Sequence, residues 1–290
     1  MEKTIFGDEV KTKDFNYWSD RFTNRSEVFD ETPRVDSHFA RFEFKDKILL
    51  NFSGDKHVGS PYTDYERIRD EAEIEVKTPN SFHIELGDIV DGFFFNPAQM
   101  EQIEQPPEQF KYAKSLLKYY GDNKKLLVGV GGDHDLWAEK FGNSFYDDFR
   151  EATGGIYMHG VSFLEFKVGE QIYKITVAHR VQGNSMYNKT HGAMRLYKES
   201  AEGSNIVITA HNHQKGHTRQ AIREFGGTSR MVDYISVGAY KAEDEYSRKM
   251  GFGVQSPDEM YGCSIILYPD KKLVRYYDDI IMANEEFSKI

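Results

Sequence analysis

Aspartate and histidine recur in this chain in small groups that lie just beyond apolar runs. Asp55 and His57 follow the run from Lys47 to Phe52, and Asp88 and Asp91 follow the run from Phe82 to Leu86. Asp133, His134 and Asp135 follow Leu126 to Val130. His179 follows Ile172 to Val177, and His211 and His213 follow Ile206 to Thr209. Carboxylate oxygens and imidazole nitrogens suit manganese, iron, zinc and related ions. The one cysteine, Cys263, stands in none of these groups, which argues against a thiolate-bound structural zinc. Asp55, His57, Asp88, Asp133, His179, His211 and His213 are seven candidate ligands. That is too many for one tetrahedral ion but suits two ions sharing a bridging carboxylate. Such ions sit about 3.5–4 Å apart, clamp the attacking and leaving oxygens of a displacement at phosphorus, and bring hydroxide into reach near neutral pH.

The apolar runs are the elements that must position these side chains. Each reads as a buried strand, and ligands at the carboxyl ends of several strands can converge on one crevice, where open α/β sheets place their sites. The stretch from Ser37 to Phe44 alternates as an edge strand does, and Val161–Val168 with Gln171–Val177 reads as a hairpin turning at Gly169-Glu170. Helices are expected over Tyr62–Val76 with Asp64 as cap, Pro107–Tyr120, Leu136–Ala152 and Met186–Ser200. A short helix within a loop is expected between Gly92 and Pro107. Tyr234–Val237, Ser264–Tyr268 and Lys272–Tyr276 read as closing strands. No repeat, low-complexity tract or linker interrupts the chain. The expectation is one α/β domain over residues 1–290, with 1–35 as an N-terminal arm or short helix on its outside. Two mixed β-sheets would pack as a sandwich with helices on the outer faces.

Composition narrows the class. Hydrophobic residues at 39% and aromatics at 14% supply a substantial core. A net charge of -10 argues against gripping nucleic acid by the bulk field, though it leaves room for a local basic groove. A single cysteine allows no intramolecular disulfide, which fits a reducing compartment. Residues Met1 to Glu9 hold no apolar leader, and no run is long enough to span a bilayer, so a cytoplasmic protein without a membrane partner is expected.

The order Asp55-x-His57, Gly87-Asp88-x-x-Asp91, Gly132-Asp133-His134-Asp135, His179 and His211-x-His213 closely resembles the calcineurin-like metallophosphoesterases. The motifs span Asp55 to His213. The resemblance implies the four-layer fold of that family and two divalent ions, manganese first, with iron, zinc, nickel and magnesium as other candidates. It implies that Asp55, His57 and His213 hold one ion, that Asp133, His179 and His211 hold the other, and that Asp88 bridges both. His134 would protonate or stabilise the leaving oxygen and Asp91 would orient it, since a carboxylate on one ring nitrogen fixes the tautomer. Two positions depart from the family pattern: Asp133 stands where asparagine is usual, and Ala210 where glycine is usual. The extra carboxylate should tighten the second ion and soften its Lewis acidity.

The expected activity is hydrolysis of a phosphate ester, with phosphodiesterase or nuclease ahead of phosphomonoesterase and a nucleotide or nucleic acid as the partner. Gly92 and Phe93 follow Asp91 where protein phosphatases of the family carry arginine, which points away from phosphoprotein substrates. A scaffold of the same fold with little turnover is the alternative from another class. A ligand at every one of the seven positions favours the enzyme. Arg180 and Asn184, close after His179, are candidates for substrate binding against the alternative of a solvated loop. Asp135 is either a support for its neighbours or a helix cap. Gly129-x-Gly131-Gly132 reads as a permissive turn rather than a nucleotide loop. His83 reads as a core histidine, Phe93-Phe94-Phe95 as core in preference to a pocket wall, and Tyr240, Tyr246 and Arg248 as candidates for a lid.

Overall fold

The computed structural model describes residues 3–5, 8–10, 14–31, 37–93, 100–137, 145–183, 185, 187–224, 226–243, 248–249, 251 and 253–289. The chain divides into a unit over Met1–Asp36 and a unit over Ser37–Ile290. In the first, β1 (Lys3–Ile5) pairs antiparallel with β2 (Asp8–Val10), and α1 (Phe15–Glu31) follows. The arm is therefore more regular than the sequence suggests. The Asp14 carboxylate accepts from the Tyr17 amide at 2.8 Å and starts the helix.

The second unit is built on two mixed sheets of six strands. The first sheet takes β4 (Ile48–Ser53), β5 (Ser81–Glu85), β6 (Leu126–Val130) and β7 (Ile156–Met158) in parallel. Its other edge is β13 (Cys263–Leu267) and β14 (Val274–Tyr277), each antiparallel to its neighbour. The second sheet runs in the order β11 (Gly216–Arg223), β12 (Ser229–Ser236), β10 (Ile206–Thr209), β9 (Gln171–Ala178), β8 (Ser162–Val168) and β3 (Phe39–Phe44). In it β9, β10 and β12 are parallel.

Burial explains the layering. β4 is buried at every residue, as a strand covered on both faces must be. Leu50 and Phe52 face a core shared with Phe166, Ile175 and Ile208 of the second sheet. Leu49 faces the other way, onto Ala283 and Phe287 of α7 (Ile280–Phe287). α2 (Tyr65–Lys77) and α3 (Pro106–Asp122) also pack on the first sheet, and α6 (His191–Glu199) covers Val207 and Val232 of the second through Ala193 and Leu196. Asp64 caps α2 as expected, accepting from the Arg67 amide at 2.9 Å.

Three expectations change. Of the helix expected over Leu136–Ala152, the described parts lie in α4 (Asp133–Trp137) and α5 (Phe145–Thr153), and residues 138–144 lie outside the described residues. The helix expected from Met186 begins only at His191, because Asn188 Oδ1 accepts from the Thr190 amide at 3.1 Å and Ser185 Oγ from the Asn188 amide at 3.2 Å. Such local side-chain bonds offer the backbone an alternative to helix. Finally β7, β11 and α7 lie outside the expected elements. Among the described residues no helix is long and apolar enough to cross a membrane.

Candidate metal centre

The three parallel strands β4, β5 and β6 of one sheet, and β9 and β10 of the other, each end in one of the singled-out groups. Their loops interlock. The Asp55 amide donates to the Gly87 carbonyl at 2.8 Å and the His57 amide to the Asp88 carbonyl at 3.0 Å, which carries the β4–β5 pairing past the strand ends. Gly132 accounts for the Gly-Gly-Asp sequence: a methyl there would overlap the amide and carboxylate of Asp88. Asp135 ties the same two loops. Its carboxylate accepts from the Ile89 amide at 3.0 Å, the Val90 amide at 3.3 Å and the Gly132 amide at 3.2 Å, so it supports its neighbours. Burial, with the nearby Asp88 charge, pushes its carboxyl up to about 7.

Backbone conformation marks the centre independently of any motif. Among the described residues eight non-glycine residues have positive φ, and Asp55, His57, Asp88, His211 and His213 are five of them. Left-handed backbone at such residues is uncommon and persists where surrounding structure enforces it. Between Asp55 and His57, Lys56 turns away into the layer beneath, where Nζ lies 2.5 Å from Glu85 Oε2 and 2.5 Å from Ser53 Oγ. This buried pair fastens the loop from below, and the sequence offered no sign of it.

Among the described residues three triples of potential ligand atoms lie close together, Asp55–His57–His213, Asp88–His179–His211 and His57–Asp91–His134, and the first two match the expected ligand sets. His57 Nε2 lies 3.0 Å from His213 Nε2 and 3.9 Å from Asp55 Oδ1, and His213 Nε2 lies 3.5 Å from the same oxygen. The two ring nitrogens face each other in a contact whose donor is set by tautomer, and Asp55 Oδ1 is buried without a hydrogen-bond partner. A single divalent cation held by these three atoms would satisfy all of them. In the second cluster, Asp88, His179 and His211 bring ligand atoms within 4.8 Å of one another. His179 Nδ1 donates to the Leu86 carbonyl at 2.7 Å, which turns Nε2 toward Asp88 Oδ2 at 3.1 Å. The donor set is oxygen and imidazole throughout, so the residues fit divalent ions.

Electrostatics agree. Burial opposes ionisation of Asp55 and Asp88, but His213 and His179 outweigh it for the first, and His179 and His134 for the second, holding both carboxyls below their usual range. Burial lowers His179, yet Asp88 overcomes it and lifts the ring to about 10. Burial, then the nearby Lys241 ammonium and the neighbouring His134, push His57 well below its ordinary value. The centre thus favours positive charge beside Asp88 and keeps His57 neutral.

The remaining candidates sit around these clusters. Asp133 lies outside the tight triple. Its Oδ2 accepts from Arg180 Nη1 at 2.7 Å and lies 3.8 Å from His211 Nδ1. Arg180 is half engaged by that pair and remains largely exposed beside a cavity of about 300 Å³ lined also by His159, His179 and Gln182. Asn184 lies outside the described residues, as do Phe94, Phe95 and Tyr246. His134 donates from Nδ1 to the backbone carbonyl of Asp91 at 2.5 Å, not to its carboxylate. Trp137 stacks on the His134 ring at 4.1 Å and Phe93 meets it edge-on at 5.1 Å, so Phe93 is a wall of the centre. Tyr240 is buried, with its hydroxyl on Glu71, and is no lid; Arg248 is exposed and pairs with Glu243. Ala210 is buried with its methyl in the shared core.

No family model and no curated protein matches the sequence. Among solved structures the chain is similar to a calcineurin-like phosphoesterase, YfkN, from Bacillus subtilis, at 12% identity and a TM-score of 0.42, covering 84% of this chain and 96% of that one. A metallophosphoesterase from Sphaerobacter thermophilus aligns at 14% identity and 0.38, covering 79% and 87%. A Staphylococcus aureus protein assigned as a 5'-nucleotidase aligns at 13% and 0.46 over 84% of this chain, which spans only 58% of that one. At these values the neighbours say nothing of this chain's substrate. In the order of its motifs, its two mixed sheets and its paired ligand clusters, the chain resembles the calcineurin-like metallophosphoesterases.

Proposed function

We propose that the protein is a hydrolase of phosphate esters working through two divalent ions, with a phosphodiester, in a nucleotide or nucleic acid, as the leading substrate class. The observation that carries this reading is the pair of ligand clusters at one end of both sheets, built from backbone held in left-handed conformations. Asp55, His57 and His213 would hold one ion, His179 and His211 with Asp133 the other, and Asp88 both. The bound ions would supply an activated water and neutralise charge at phosphorus.

The chain's own residues do the rest. The Asp88 carboxylate accepts from the His134 amide at 2.8 Å, so the ligand and the acid–base histidine are set in one frame. With Nδ1–H given to the Asp91 carbonyl, His134 keeps Nε2 for the leaving oxygen and can deliver a proton there. Phe93 and Trp137 hold the ring against rotation. Arg180 offers the guanidinium face not taken by Asp133 to a phosphoryl oxygen, a geometry that arginine serves well.

Hydrolysis of bis-p-nitrophenyl phosphate and p-nitrophenyl phosphate by manganese-loaded protein tests the reading. Diester turnover that falls at least a hundredfold in His134→Ala is expected. Turnover of the monoester alone would make the protein a phosphatase. No turnover of either ester, in protein holding two ions, would favour the scaffold.

A further inference from the structure

The loop after β12 reaches the same end of the fold as the motif loops, although no motif lies in it. The Tyr240 amide donates to the Asp55 carbonyl at 3.0 Å, the Asp64 amide to the Tyr240 carbonyl at 3.0 Å, and the Ala242 amide to the Tyr62 carbonyl at 3.1 Å. Residues 240–242 are thereby stitched to the turn that follows the first ligand pair, and the Thr63–Lys241 bridge lies within this stitching. Lys241 is 5% exposed and Asp91 6%, and Lys241 Nζ lies 3.0 Å from Asp91 Oδ1. The same Oδ1 lies 3.1 Å from His57 Nδ1. That ring nitrogen is buried and makes no other hydrogen bond; Oδ1 is the carboxylate oxygen beside it, standing off its N–H axis. The opposite nitrogen, Nε2, is the one that faces His213 and Asp55.

We infer that Asp91 and Lys241 form a buried positioning pair for the metal ligand His57, with the Asp91 carboxylate as acceptor for Nδ1–H and Lys241 as the cation that holds that carboxylate in place. The inference rests on the two-ion reading of the site. A histidine that ligates through one nitrogen is fixed in tautomer and direction by what accepts from the other. His134 does not compete for the Asp91 carboxylate, because its own Nδ1 is satisfied by the Asp91 backbone carbonyl. The side chain and the main chain of Asp91 therefore serve two different histidines. The ammonium beside Asp91 lets a carboxylate be buried at this depth while leaving its oxygen free to accept a second bond. Asp91 and Lys241 act through His57, not on the substrate.

Calorimetric titration of metal-free protein with manganese tests the pair without reference to turnover. Wild type is expected to take up two ions. Asp91→Ala should weaken one of them about 10- to 100-fold, the range for losing such an outer partner, and leave the other within about threefold, because only His57 loses its support. Part of that loss would come from the buried Lys241 ammonium, which loses its ion pair with Asp91. The double variant Asp91→Ala/Lys241→Met removes that charge together with any folding defect it causes. It should recover part of the affinity and still bind one ion at least about fivefold more weakly than wild type. Two ions bound with wild-type affinity by both variants would overturn the pairing and leave the metal centre standing. Wild type that takes up no manganese would overturn both together.

Discussion

Arg180 Nη1 lies 2.7 Å from Asp133 Oδ2, so the carboxylate that stands where the family usually has asparagine meets a cation from the end of β9 in the opposite sheet. The two residues should act on the second ion with opposite signs. Asp133→Asn removes a negative charge and is expected to weaken that ion, while Arg180→Ala leaves the charge uncompensated and is expected to tighten it. The pair is exposed enough that either change should move stability by no more than about 1 kcal/mol. Manganese titration of both variants checks the signs, and a shift in the same direction for both would contradict the pairing.

Gly132 is the tightest point of the centre, since any Cβ there collides with Asp88. Gly132→Ala is expected to destabilise the protein by on the order of 3 kcal/mol, the upper range for forced overpacking, and to cost one of the two ions. Denaturant unfolding beside metal analysis checks it. A variant of unchanged stability that holds both ions would contradict the close approach.

His83 is buried between two carboxylates, with Nδ1 2.8 Å from Glu75 Oε2 and Nε2 3.4 Å from Glu85 Oε2. Burial lowers it, but the two glutamates overcome this and raise it to about 9, against an ordinary value of 6.5. The folded state therefore holds the proton more tightly than the unfolded chain. The stabilisation is complete below pH 6.5 and is lost as pH rises toward 9. At about 1.4 kcal/mol per unit this is on the order of 3 kcal/mol. Urea unfolding from pH 6 to 9.5 should show a decline that becomes shallower in His83→Gln. An identical slope in both proteins would contradict it.

Metal binding should release a proton. His179 stands at about 10 in the metal-free centre, whereas His57 is pushed well below 6.5 and has none to lose. At pH 8, binding at the Asp88–His179 cluster is expected to displace about one proton. Titrations in Tris and HEPES, whose ionisation enthalpies differ, would give different apparent heats. Equal heats would mean that His179 is already neutral.

Much of this was legible in the sequence, for physical reasons that differ by element. β4, β5, β6 and β10 are buried on both faces, and β9 over its second half, so apolar residues dominate these stretches and their ends mark where ligands stand. β11 was hidden because an edge strand with no fully buried residue keeps no apolar period. Helix α7 had a readable signal in Asp279, which accepts from the Met282 amide at 2.8 Å, followed by Ile280, Ala283 and Phe287 on the inner face. Nothing local distinguishes Lys56 or Lys241 from surface lysines. Their burial is set by Glu85 and Asp91, distant in sequence, and a single sequence does not carry such pairs. The left-handed backbone at Asp55, His57, Asp88, His211 and His213 is likewise a product of loops locked across two sheets.

The most direct test is crystallographic. Crystals grown or soaked with manganese and measured near its absorption edge would show where the ions bind. Two anomalous peaks about 3.5–4 Å apart, with Asp88 between them, His57 and His213 on one and His179 and His211 on the other, are predicted. A single peak, or peaks away from Asp88, would contradict the two-ion centre.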